Sequence, residues 1–209
     1  MDRQDEIKIK QDEIAAKERQ KQAITGLHNA MVAPRFIDRS LGSYLAENAG
    51  QKKALSDARW FIENAAQSVG LIFLGNNGTG KNHLAAGIVK EFLTRGKTAL
   101  MTEAVKVVRK IKESWRREGQ TESEVIEVYT KIDLLVIDEC GVQFGSDTER
   151  MYLTEIINDR YNACLSTILI GNLTIEKLTQ VIGERVIDRF REGGKVTLFD
   201  WTSYRGQKK

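Results

Sequence analysis

Two short stretches of the sequence carry residue types suited to phosphate chemistry. The first is Gly75-Asn76-Asn77-Gly78-Thr79-Gly80-Lys81, which has the G-x-x-x-x-G-K spacing of a phosphate-binding loop. Glycines let the backbone curl until several amides face inward as an anion nest. A helix opening directly after the loop adds the positive end of its dipole, and Lys81 is long enough to reach the outer phosphates. The second stretch, Asp133-Leu134-Leu135-Val136-Ile137-Asp138-Glu139, is an apolar run that ends in two acids. Beside such a loop, Asp138 would hold Mg2+ through water, and Glu139 would orient or polarise an attacking water. Either stretch is common alone. Together they predict ATP and Mg2+ as ligands.

One residue departs from the pattern. The Ser or Thr whose hydroxyl usually meets the metal is replaced by Asn82. An amide oxygen can still touch the ion or one of its waters, with different geometry, so ATP binding is expected with slow turnover. Asn82 and His83, at the start of the helix, complete the expected nucleotide contacts. A further apolar run, Leu165–Ile170, ends at Gly171-Asn172. Asn172 is either a polar group projecting toward the γ-phosphate or a plain strand-end turn residue. Arg185 and Arg189 stand four apart on one helix face. They suit an anion contact, in cis or toward a neighbour's nucleotide, or else a solvated basic face.

The elements that must position these residues follow from periodicity. Residues 51–66 have Leu55, Ala58, Phe61, Ile62 and Ala65 at helical spacing. Strands are expected at Leu71–Leu74, Lys97–Thr102, Leu134–Ile137, Leu165–Ile170 and Val196–Phe199. Helices are expected at His83–Leu93, at Ala104–Glu118, after a capping box at Thr121 and Glu124, from Ser146 to about Asn162, and near 174–181 and 183–191. Strands alternating with helices predict an α/β fold: a parallel five-stranded sheet flanked by helices, of the P-loop NTPase kind. Pro34, the only proline, marks a break. Residues 1–33 then form a charged N-terminal helical extension and linker, either solvated or a docking helix for a partner, and 34–209 form the ATPase domain.

Composition sets the outer limits. The 209 residues suit one ordinary domain with a short appendage. A net charge of +3 permits nucleic-acid contact without demanding it. The two cysteines, Cys140 and Cys164, lack metal-site or disulfide spacing and are expected as small core residues. A charged N-terminus without an apolar stretch, and apolar runs of strand length only, predict a cytoplasmic chain with no membrane span.

Four motifs together, GNNGTGKNHLAAGI, KIDLLVIDECGVQ, GERVIDRFR and FDWTSYR, resemble the DnaC-type helicase loaders, a branch of the AAA+ ATPases close to the IstB-like transposition helpers. The resemblance runs over residues 35–205, and Asn after the P-loop lysine is itself typical of the DnaC type. It implies Walker A and B roles for Lys81 and for Asp138 with Glu139. It implies a sensor-1 role for Asn172, and for Arg189 an arginine finger acting on the adjacent subunit with support from Arg185. Arg205 in the SYR triplet would be a sensor-2 arginine touching the nucleotide. A finger acting in trans implies ATP-dependent assembly into an open ring or spiral.

The resemblance also implies single-stranded DNA as a partner. Lys112, Trp115, Arg116 and Arg117 are the candidate contacts, with basic groups for phosphates and an indole for stacking on bases. The alternative is an exposed basic helix with Trp115 in the core. Family members grip a hexameric replicative helicase through an N-terminal segment. Here that module would be reduced to the helix at residues 1–30, diverged or missing. The expected function is an ATP-dependent replication protein that loads or remodels a replicative helicase on single-stranded DNA. The alternatives are a transposition helper ATPase and a nucleotide-gated DNA-binding switch with negligible turnover.

Overall fold

The computed structural model describes residues 25–67, 70–116, 119–141 and 147–204. Most of the N-terminal extension lies outside these residues, as do Arg117 and Arg205. The five strands are β1 (Gly70–Gly75), β2 (Ala99–Glu103), β3 (Leu134–Asp138), β4 (Ser166–Gly171) and β5 (Lys195–Phe199). They form one parallel sheet in the order β2-β3-β4-β1-β5. β1 therefore lies between β4 and β5, with Leu74 opposite Gly171 and Gly75 opposite Phe199. Every strand points the same way, so Gly75, Glu103, Asp138 and Gly171 all end on one edge of the sheet. That edge is where open α/β sheets form their ligand crevice.

Alternation along the strands splits the core into two layers. Leu71, Phe73, Val136, Ile168 and Ile170 face one side, under α1 (Ala49–Glu63) and α2 (Lys81–Thr94). Ile72, Leu74, Leu135, Ile137 and Leu169 face the other. That second side is covered by α3 (Ala104–Ser114), α4 (Glu122–Lys131), α5 (Asp147–Asn162), α6 (Ile175–Ile182) and α7 (Glu184–Gly193). Buried on both faces, the strands read as continuous apolar runs, as parallel strands do.

Caps set several helix starts. Asn48 and Gln51 form a reciprocal capping box at α1, and Thr121 and Glu124 form the expected one at α4. α3 stops at Ser114, whose hydroxyl donates to Ile111 O at 2.6 Å, so it is shorter than its basic pattern suggests. Leu27, Ala30 and Val32 are buried in the α1–α2 layer, and Met101 N donates to Ala30 O at 2.8 Å along the outer edge of β2. The described part of the expected linker thus packs with the sheet.

Cys164 corrects an expectation. It is exposed, in a left-handed turn after α5 with φ 57°, and only Cys140 lies in the core. Burial pushes the Cys140 thiol up to about 12, so it behaves as a small apolar group.

A buried arginine joins three elements. Arg160 of α5 is fully buried and faces the starts of β3 and β4. Its guanidinium donates to the carbonyls of Tyr129 and Ile132 at 2.7 Å, of Ser166 at 2.5 Å and of Asp133 at 3.3 Å. Nε donates to Thr167 Oγ1 at 3.0 Å. Burial pulls its pKa down to about 10, which still leaves it charged at neutral pH. Five donors in a planar fork match five acceptors, which is how an ion can be buried here without a carboxylate.

Candidate functional site

The phosphate loop runs from the end of β1 into α2, and its glycines are there for space. A Cβ on Gly75 would stand 2.2 Å from Phe199 O, and one on Gly80 would stand 2.7 Å from the Tyr44 ring. Both have positive φ, as does Gly78. The outer side of the loop is laced to the rest of the chain. Thr79 is fully buried, and its hydroxyl donates to Asn76 O at 2.7 Å. Its carbonyl accepts from Trp201 Nε1 at 3.0 Å and Tyr44 OH at 3.5 Å. Tyr204 N donates to Gly78 O at 3.0 Å. These bonds hold the carbonyls of residues 78 and 79. The first-turn amides of α2 have no carbonyl within their own helix.

Lys81 is buried at the root of the loop. Its ammonium donates to Gly75 O at 2.8 Å and Asn76 O at 2.6 Å. Across the sheet edge, Asp138 receives Asn82 Nδ2 at 2.6 Å on one oxygen and Glu139 N at 2.7 Å on the other. Glu139 is exposed and takes φ 57°. That conformation is unfavourable for a residue with a Cβ, and such strain tends to sit at functional positions.

A cavity of about 900 Å³ unites these groups. Asn77, Gly78, Gly80, Lys81, Asn82, Asp138, Glu139 and Asn172 line one side. The other side is a strap over residues 31–45, with Met31, Phe36, Arg35, Arg39 and Tyr44. His83 also lines the cavity, but its ring turns to the strap: Nε2 meets Ser40 O at 3.0 Å and Ser43 Oγ at 3.1 Å. The ring also meets the Tyr44 ring edge-on at 5.3 Å. Burial, with Arg39 nearby, holds the imidazole below its usual value. Tyr204 closes the far end, accepting from Gln51 Nε2 at 3.1 Å and donating to Leu45 O at 3.2 Å.

Two residues that line this cavity carry hard oxygen donors, Asp138 a carboxylate and Asn82 an amide oxygen. Such a set suits Mg2+, which keeps several waters and takes further ligands from phosphates. It does not need a dedicated protein cage. Among the described residues there is no cluster of three His, Cys, Asp or Glu suited to a metal.

The remaining expected residues lie elsewhere. Arg189 is on α7, its guanidinium 4.5 Å over the Tyr161 ring and bonded to Asn158 Oδ1 of α5. Arg185 is exposed one turn earlier. Neither lines the cavity of its own chain. On α3, Lys112 is paired with Glu149 at 2.7 Å, and Arg116, in the turn just after α3, is exposed. Trp115 is 57% exposed, its indole N–H donating to Glu122 at 2.6 Å, so it is not a core residue. Sequence reasoning missed Tyr44, Trp201 and Tyr204 as fasteners of the loop. The aromatic run near Phe199 was the available signal. No helix among the described residues is long and apolar enough to cross a membrane.

Comparison with known proteins identifies the family and the fold. A family model described as IstB-like ATP binding protein matches residues 10–209. The replicative helicase loader DnaC of Escherichia coli strain K12 is 37% identical over 178 residues, which covers 84% of this chain and 73% of that one. DnaC of Buchnera aphidicola (subsp. Acyrthosiphon pisum) is 33% identical over 173 residues, covering 81% and 70%. A crystal structure of the DnaC helicase loader superposes with a TM-score of 0.69 at 26% identity, covering 79% of this chain and 99% of that one. The replication initiator DnaA bound to AMPPCP and single-stranded DNA shares the fold, with a TM-score of 0.69 at 22% identity, covering 82% of this chain and 51% of that one.

Proposed function

The chain belongs to the IstB-like ATP-binding family, with DnaC helicase loaders among its relatives, and from that premise we propose that it is an ATP-dependent replication protein that loads or remodels a replicative helicase on single-stranded DNA. The observation that carries this is the single cavity shared by Lys81, Asp138, Glu139 and Asn172. Loop amides and Lys81 bind the triphosphate. Asp138 and Asn82 hold Mg2+, which when bound neutralises phosphate charge and polarises the transferred group. Glu139, at the cavity edge, orients the attacking water. Asn172, at the end of the strand beside β1, contacts the γ-phosphate. Arg205 touches the same nucleotide.

Arg189, away from its own cavity, acts on the nucleotide of an adjacent subunit in an ATP-dependent assembly, with Arg185 in support. Trp115 and Arg116, exposed at the end of α3, offer a stacking face and a charge to single-stranded DNA. Lys112 contributes charge beside them, and Arg117 extends the same basic run. Residues 1–33 supply the helicase contact, and the protein works in the cytoplasm.

One observation favours a second reading. The direct bond between Asn82 and Asp138 gives the metal-binding acid a partner before any cation arrives. That suits a nucleotide-gated switch with negligible turnover. Phosphate release by the purified chain, with and without single-stranded DNA and a hexameric helicase, separates the two. Stimulated release supports the loader, and nucleotide binding without release supports the switch. No nucleotide binding at all defeats both.

A further inference from the structure

Thr154, Asn158 and Tyr161 stand four and three residues apart on α5, so they share one face of that helix. The face meets the end of α6 and then α7. Thr154 Oγ1 donates to Ile182 O at 3.4 Å. Asn158 Oδ1 accepts from Arg189 Nη1, and Arg189 Cζ stands 4.5 Å over the centre of the Tyr161 ring. The Tyr161 hydroxyl donates to Glu192 Oε2 at 3.2 Å. Both supports are fixed. Val186, Ile187 and Phe190 anchor α7 in the core. Arg160 precedes Tyr161 and points about 100° away from it around the helix. Its bonds to the Ile132, Asp133 and Ser166 carbonyls tie the last turn of α5 to the sheet. None of the groups that hold Arg189 neutralises it. An amide oxygen and a ring face carry no net charge, and the acid three positions along, Glu192, is engaged by the Tyr161 hydroxyl. Among the described residues Arg189 forms no ion pair. A guanidinium has five N–H donors in a planar fork. Asn158 takes one on its edge, and the ring takes a face.

We infer that Tyr161 and Asn158 are positioning residues for Arg189: together they hold its guanidinium flat, ordered and fully charged, with donors left to meet a phosphate on an adjacent subunit. The inference rests on the arginine-finger reading above and adds the groups that aim the finger. The physical reason is order without neutralisation. A long side chain on an open helix face loses rotamer freedom when it binds. Here that loss has already been taken on folding. A carboxylate clamp would order the arginine equally well, but it would have to be broken before a phosphate could take its place. A neutral clamp leaves the full charge available for a bidentate anion contact.

The test compares Tyr161→Leu, Asn158→Ala and Arg189→Ala in the full chain. Phosphate release is measured with single-stranded DNA, and ATP-dependent assembly by sedimentation velocity with a non-hydrolysable analogue. Circular dichroism checks folding, and if Tyr161→Leu does not fold, Asn158→Ala carries the test. Tyr161→Leu and Asn158→Ala should keep wild-type ATP affinity. They should lose stimulated release, or assembly where the wild type does not turn over, by about 10- to 100-fold, short of the loss in Arg189→Ala. Three results separate aiming from a merely structural role. Tyr161→Leu added to Arg189→Ala should cost nothing further, because the group it aims is already gone. Tyr161→Leu subunits mixed with Lys81→Ala subunits should regain part of the activity, since one supplies the intact cavity and the other the aimed arginine. Tyr161→Phe with Glu192→Gln keeps the ring and removes the acid, so it should work nearly as the wild type does. Wild-type behaviour of both single variants, a rise in turnover, an additive loss in the double variant, or a Phe variant as poor as Leu overturns the inference. If Arg189→Ala itself matches the wild type in both measurements, the finger reading fails and takes this inference with it, a different result from a wrong clamp.

Discussion

The Lys81 ammonium donates to the Asn76 carbonyl at 2.6 Å, so the charge that must meet phosphate is stored inside the loop it serves. Lys81→Ala removes both the charge and the donor to two loop carbonyls. ATP affinity should fall by about 100-fold or more, near 2.7 kcal/mol. Titration calorimetry checks this, and unchanged affinity in the variant contradicts the cradle.

Arg189 is held on α5 by Asn158 and Tyr161, outside its own cavity. Arg189→Ala should bind ATP as the wild type does while losing stimulated hydrolysis on the order of 10³-fold. Mixing it with Lys81→Ala subunits should restore part of the activity, because each supplies what the other lacks. Full stimulated turnover by Arg189→Ala alone rules out the finger role.

Trp115 presents its indole at the end of α3. Trp115→Ala should weaken single-stranded DNA binding by ~1–3 kcal/mol without changing its salt dependence. Arg116→Ala should instead flatten the salt dependence, by a slope of about 0.7 for one lost phosphate contact. Fluorescence anisotropy at several salt concentrations distinguishes them. Wild-type affinity in both variants moves DNA off this surface.

Arg160 satisfies four carbonyls and a hydroxyl in the core. Arg160→Met leaves those acceptors buried and unpaired, which should cost about 3–5 kcal/mol of unfolding free energy. Urea denaturation followed by circular dichroism measures it. A loss within the error of the wild-type curve would mean that water or side chains replace the guanidinium.

Asp57 of α1 is buried and joins Lys53, Lys195 and Thr197 at 2.5, 3.2 and 2.8 Å. Burial raises its pKa, but the hydrogen bonds from Lys53, Thr197 and Lys195 outweigh it and hold the group below the ordinary 3.8. A depressed carboxylate contributes its stability above the unfolded value and loses it as pH falls through the folded one. Thermal melts from pH 6 down to pH 2 should therefore show an acid loss starting near 4, and Asp57→Asn should flatten that limb. An identical acid limb in both proteins assigns the loss to other groups.

The phosphate loop and the strand-end acids were legible because their chemistry dictates residue types at short, fixed spacing. The sheet was legible because parallel strands buried on both faces leave unbroken apolar runs such as Leu134–Ile137. Arg160 was not, because its acceptors come from α4, the turn that leads into β3, and β4, which meet only in the fold. The His83 ring could not be aimed from sequence either. Its neighbours Ser40 and Ser43 come from a strap with no periodic signal. For the same reason the packing of Leu27, Ala30 and Val32 against the sheet was hidden in a segment that reads as charged linker. Trp115 could be read two ways, since an indole in a basic run satisfies either a core or a solvent-facing pattern.

The order of strands has a consequence for biogenesis. β1, the strand that leads into the phosphate loop, pairs only with β4 and β5, its partners beginning at Thr167 and Lys195. A ribosome therefore makes this strand first and its neighbours last. Until they emerge, β1 is an unpaired apolar segment, and closing such distant pairs is slow. Nucleotide can report only on chains whose last strand has docked, and a nascent chain paused before β5 would be a natural client for a chaperone.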